Sequence, residues 1–149
     1  RGAGRQSKVR SSFLDMTLDH DTGALTGDVI AGPHAGRSLA EFDRDGLLQL
    51  MRGFDDESRQ LLAGYLDRRF PDWREGAGAD APQGRAPASG KMTREEAHQI
   101  LGLQPGASEE AIASAHRNLM KRLHPDQGGS NYLAAKINEA KEVLLGRGP

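Results

Sequence analysis

Cysteine is absent from the 149 residues, which excludes disulfides and thiolate metal centres and leaves the redox compartment unread. Long apolar runs are absent as well, and nothing approaches the ~20 consecutive residues that span a bilayer. Aromatic side chains make up only 5% of the chain. The core is therefore thin, enough for one ordinary domain or two small ones. An initiator methionine is missing too. The chain opens on Arg1 and reads as a processed product or a fragment.

Glycine, by contrast, is abundant at 19 residues, which predicts substantial unstructured content. The net charge of −1 hides an uneven distribution. Residues 1–10 carry four cations and no acid, which predicts a disordered basic arm. Residues 11–75 hold seven basic and thirteen acidic side chains, and residues 92–149 balance at seven each. After the arm, Leu14, Met16 and Leu18 alternate with polar residues, Asp19-His20-Asp21-Thr22-Gly23 turns the chain, and Leu25, Gly27 and Val29 alternate again. Period two on both sides of a glycine-containing turn predicts a β-hairpin. Asp19, Asp21 and Asp28 brush against a calcium-loop pattern. Counted from Asp19, however, position 12 is Ile30 rather than a bidentate Glu, and the flanks read as strands. They are turn formers.

From Ser38 to Trp73 the period becomes helical. Asp43 and Asp45, the candidate N-terminal caps, precede Leu47, Leu48, Leu50 and Met51. A second helix starts near Asp55–Ser58, carries Leu61, Leu62, Tyr65 and Leu66, and is ended by Pro71. His20 and His34 read as single, unpartnered turn residues. Residues 74–91 are rich in Gly, Ala and Pro and lack large apolar side chains, which predicts a flexible linker and a domain boundary.

Beyond it, Thr93-Arg94-Glu95-Glu96 reads as a capping box for a short helix reaching about Leu101. Ser108 caps a second helix whose apolar stripe is Ile112, Ala115/His116, Leu119 and Leu123. Glu109 and Glu110 sit at its dipole-positive start. Ser114, Arg117, Asn118, Lys121 and Arg122 are rotated away from the stripe. A third helix from Ser130 carries Leu133, Ile137, Ala140 and Leu144. Two such helices with a short link are expected to pack antiparallel. His124-Pro125-Asp126 falls at their bend, where Pro125 ends the helix and Gly128-Gly129 allow the reversal. The bend is expected to hold Asp126 in water beside the basic side of the second helix.

The stretch "ILGLQPGASEEAIASAHRNLMKRLHPDQGGS" followed by "NYLAAKINEAKEVLLG" resembles a J-domain. The short first helix, "HPDQGGS" and "AAKINEAKE" are similar to the J-protein of the mitochondrial presequence-import motor and its membrane-tethered alphaproteobacterial relatives. The resulting expectation is a mainly α chain in four parts. Residues 1–10 are a disordered basic arm, 11–73 a small α+β segment of a β-hairpin and two helices, 74–91 a flexible linker, and 92–146 a J-domain built on an antiparallel helical hairpin. The resemblance implies a co-chaperone that stimulates ATP hydrolysis by a DnaK-type (heat-shock-70) partner. It assigns triggering to His124, Pro125 and Asp126, and docking charge to Arg117, Lys121 and Arg122. Asn118 and Gln127 depart from the basic residues common at their positions, which lowers the positive potential. The basic start, the missing initiator methionine and the resemblance together predict a membrane anchor upstream of Arg1, with the chain on the cytoplasmic side of a bacterial inner membrane, or in the cytoplasm if no such anchor exists.

Rival readings are weaker. A His–Asp catalytic dyad needs a nucleophile and a substrate pocket, and neither motif is present, so no enzyme, catalytic residue or cofactor is expected. His116 and His124 stand too far apart in sequence for a common metal site, and His116 reads as a half-buried core imidazole. Nucleic-acid binding is disfavoured by a C-terminal unit of zero net charge without interleaved aromatics. The non-enzymatic alternative is a scaffold that uses the helical hairpin to bind a partner J-like protein without stimulating an ATPase.

Overall fold

In the computed structural model, residues 6–77, 92–123 and 130–146 are described. Strand β2 (Leu14–Asp19) buries Leu14, Met16 and Leu18 on one face, and β3 (Leu25–Val29) buries Leu25, Gly27 and Val29. The two pair antiparallel with Leu18 opposite Leu25 and Met16 opposite Gly27. Gly27 is required there, because a Cβ would collide with the Met16 sulfur and lie 2.9 Å from Leu39 Cδ1.

The sheet has a third strand. Residues 6–10 of the expected disordered arm form β1 (Gln6–Arg10), antiparallel to β2 with Val9 opposite Met16. Ser7 and Val9 point inward, too few to give a sequence signal in a cationic segment. The charge is answered across the strands: Lys8 Nζ donates to Thr17 Oγ1 at 2.8 Å, and Lys8 and Arg10 lie 3.7 and 3.4 Å from Asp15.

A 3₁₀ turn at Leu39–Glu41 leads to α1 (Arg44–Arg52), capped by Asp43, and α2 (Asp56–Arg69), capped by Asp55. The cap at Asp43 stands where the sequence placed one, Asp45 lies inside the first turn, and α2 begins within the expected Asp55–Ser58 window. Helix α2 departs from the single-stripe expectation: Ala63 and Gly64 are buried along with Leu61, Leu62, Tyr65 and Leu66. A helix buried beyond a single stripe is one covered on more than one side. Here the sheet covers one side and the C-terminal helix the other. Trp73, wholly buried, donates from Nε1 to Asp67 at 2.7 Å and opens α3 (Trp73–Ala77). Residues 74–77 of the expected linker are thus helical. The remainder, 78–91, lies outside the described residues.

Helices α4 (Arg94–Leu101), α5 (Glu109–Leu123) and α6 (Ser130–Leu144) pack on one another. Thr93 accepts from the Glu96 amide as expected, but the Glu96 carboxylate lies 3.5 Å from Lys136 Nζ. The predicted stripe of α5 is buried: Ile112, Ala115, Leu119 and Leu123. Helix α4 lies on β1 and α6 on α2, so one hydrophobic cluster runs from Val9 to Leu144 through both halves of the chain.

Candidate functional site

The polar side of α5 meets the β2–β3 turn. Ser114, Arg117, Asn118 and Lys121 line one wall of a cleft of about 470 Å³, and His20 and Asp21 line the other. Arg117 and Lys121 are exposed, one helical turn apart.

Arg122 is placed differently. It is half-buried, and its Nε donates to the main-chain oxygen of His20 at 3.2 Å. Its aliphatic stem crosses Gly23, where a Cβ would stand 3.3 Å from Arg122 Cδ. Arg68, from α2, completes the latch by donating to the main-chain oxygens of Gly23 and of Arg122, the latter at 2.8 Å. Burial pulls the Arg68 guanidinium below its ordinary value. Two carbonyls, one from a turn and one from a helix C-terminus, compensate for the lost water. The expected three-cation face is therefore divided, with Arg117 and Lys121 facing solvent and Arg122 clamped to the sheet.

The turn itself is rigidly built. Asp19 Oδ1 accepts from the amides of Asp21 and Thr22 at 2.8 and 2.9 Å, which holds the Asp19 carboxyl below its usual value. His20, expected to be unpartnered, is buried with Nε2 2.7 Å from Ser7 Oγ. Its partner lies on the strand that sequence reading missed. His34 likewise has a neighbour, the Phe42 ring, edge-on at 5.6 Å. The short loop after α4 closes over the turn as well. Gly102 has φ of 71°, and a Cβ there would sit 2.6 Å from Gln6 O and 2.9 Å from the His20 ring. His116 is half-buried as expected, and desolvation holds its pKa below the ordinary imidazole value.

A second cross-chain cluster escaped sequence reading. Lys136 is buried, with Nζ 3.1 Å from Glu57 and 3.5 Å from Glu96. Tyr132 donates to Glu57 at 2.7 Å. His124, Pro125 and Asp126 lie outside the described residues. Among the described residues, no helix is long and apolar enough to cross a membrane.

The DnaJ domain family matches residues 96–147, which take in α5, α6 and most of α4. A Gibberella zeae protein, mitochondrial import inner membrane translocase subunit TIM14, is 47% identical over 89 residues, covering 56% of this chain and 85% of that protein. The chain belongs to the J-domain family. Its J-domain is also 52% identical over 56 residues to subunit TIM14-1 of Arabidopsis thaliana, covering 38% of this chain. It is 56% identical over 54 residues to TIM14 of Caenorhabditis briggsae, covering 36% of this chain. The chain spans about half the length of these last two relatives, 50% and 49%. No solved structure matches it. These J-proteins are named as mitochondrial inner-membrane translocase subunits, so the bacterial setting expected from the sequence finds no support among them.

Proposed function

We propose that this chain is a J-domain co-chaperone that docks on a DnaK-type (heat-shock-70) chaperone and stimulates its ATP hydrolysis, without being an enzyme or needing a cofactor itself. The observation that supports this most is the exposed pair Arg117 and Lys121, on one side of α5 in the two turns leading to His124-Pro125-Asp126. An exposed cationic strip accelerates encounter with an acidic surface. Asp126, which follows Pro125 in the segment between α5 and α6, then accepts a charge-assisted hydrogen bond from the partner. That contact favours one conformational state of the chaperone by binding it better. Arg122 serves by fixing the last turn of α5 to the sheet.

The setting is a membrane. The relatives' names place them in an inner-membrane translocase, and the basic first residues suit a tether upstream of Arg1.

The test is single-turnover ATP hydrolysis by a DnaK-type chaperone with and without this chain. Wild type is expected to accelerate it. Asp126→Asn is expected to abolish the effect with helicity and melting unchanged. Replacing Arg117 and Lys121 together by Ala is expected to raise the half-maximal concentration and flatten its salt dependence. A wild type that leaves the rate unchanged would overturn the proposal and leave the non-stimulating scaffold, and stimulation by Asp126→Asn equal to wild type would remove Asp126 from the triggering role.

A further inference from the structure

The cleft beside α5 belongs to neither half of the chain alone. Its first wall, Ser114, Arg117, Asn118 and Lys121, comes from the J-domain, and its second, His20 and Asp21, comes from the N-terminal sheet. That second wall is preorganised. His20 is 4% exposed and bonded to Ser7, Asp19 closes the turn, and Arg122 and Arg68 tie the oxygens of His20 and Gly23 to the end of α5. The Asp21 side chain, by contrast, is exposed, and it makes no ion pair with Arg117 or Lys121 across the cleft. In water an unpaired carboxylate costs nothing. Once a partner fills the cleft, the same carboxylate loses its hydration and must be paired, or binding suffers.

We propose that Asp21 is a specificity-determining residue for chaperone docking, in a cleft whose occupant is a segment of mixed charge. That segment carries acidic groups for Arg117 and Lys121 and a Lys or Arg for Asp21. A purely acidic segment satisfies the α5 wall and is repelled by the turn, which is how an unsuitable partner is refused. The inference rests on the docking reading above and adds the N-terminal sheet to it as half of the binding surface.

The experiment titrates the full chain against a DnaK-type chaperone and reads the half-maximal concentration for ATPase stimulation. Asp21→Asn is expected to raise it roughly fivefold and Asp21→Lys more, because a charged pair in the cleft is lost and then reversed. Asp28→Asn makes the same charge change at the other end of β3, away from the turn, and is expected to leave it unchanged. Binding of a hexaglutamate peptide is expected to strengthen in Asp21→Asn. The melting temperature should hold in both Asp21 variants, since the turn uses only the Asp21 amide. A half-maximal concentration that stays level or falls in Asp21→Asn, with wild type active, overturns this inference and leaves the docking reading standing. An inactive wild type sinks both.

Discussion

Arg68 donates to the main-chain oxygen of Arg122 at 2.8 Å, and so joins α2 of the N-terminal segment to the last turn of the J-domain's basic helix. The same guanidinium holds Gly23 in the β2–β3 turn. A lysine has one point charge where arginine has a fork, so Arg68→Lys leaves one of two partly buried carbonyls without its donor. The expected cost is about 1–2 kcal/mol, read as a lower urea midpoint at unchanged slope. An unchanged midpoint would mean that water already satisfies one carbonyl.

Lys136 is the cation of the second cross-chain cluster. Its side chain is 8% exposed, whereas Glu57 and Glu96 are each 39% exposed. Lys136→Met leaves two carboxylates facing each other with no charge between them. Removing one member of a fully buried pair costs ~3–5 kcal/mol, but partial exposure of the acids lets water answer them, so about 2 kcal/mol is expected here. Adding Glu57→Gln to Lys136→Met should recover part of the loss, and a double-mutant cycle measures how much.

Gly102 and Gly106 separate two reasons for a glycine. Both have positive φ, 71° and 88°. Only Gly102 is crowded, by Gln6 O and the His20 ring, while nothing lies within 4 Å of a Cβ at Gly106. Gly106→Ala should cost about 1 kcal/mol for the left-handed backbone alone. Gly102→Ala should cost about 3 kcal/mol, because the sheet must also move off the helix. Thermal melts of the two variants give the comparison. Equal losses would show that β1 does not press on the J-domain.

The continuous core predicts one unfolding transition. Trp73 is the single tryptophan and is buried in the N-terminal half, whereas far-UV ellipticity is shared by helices of both halves. Leu62→Ala, at a fully buried position in α2, should destabilise by about 3 kcal/mol. Fluorescence and ellipticity should shift together to the same new midpoint. Separate midpoints would show two independently folding units.

His116 supplies a pH dependence. Burial, the largest cause, holds its pKa in the folded state below that of the unfolded chain. The unfolded state therefore binds the proton first as pH drops. The stability contributed by neutral His116 is present above the unfolded value near 6.5 and is lost as pH falls below it. His116→Leu removes this term. The gap in stability between variant and wild type should thus change between pH 7 and pH 5 and be flat above 7.5. A gap independent of pH throughout would show that the imidazole titrates as it does in water.

What could be read along the chain was local. The caps at Asp43, Thr93 and Ser108, the start of α2 near Asp55 and the stripe of α5 each depend on residues within a turn or two. Helical period and capping chemistry act over that range, and so the J-domain was legible. The hairpin was legible too, because Asp19 and Gly23 make their turn within five residues. Strand β1 was not, since two inward residues in a cationic segment become a strand only when β2 and α4 supply partners. The burial of His20, the engagement of Arg122 and the coupling of Lys136 to Glu57 were decided by contacts of long range, Arg122 and His20 standing 102 positions apart. No local pattern carries such a pairing. It follows from the shared core: packing α2 and β1 against α6 and α4 brings the turn up to the basic helix.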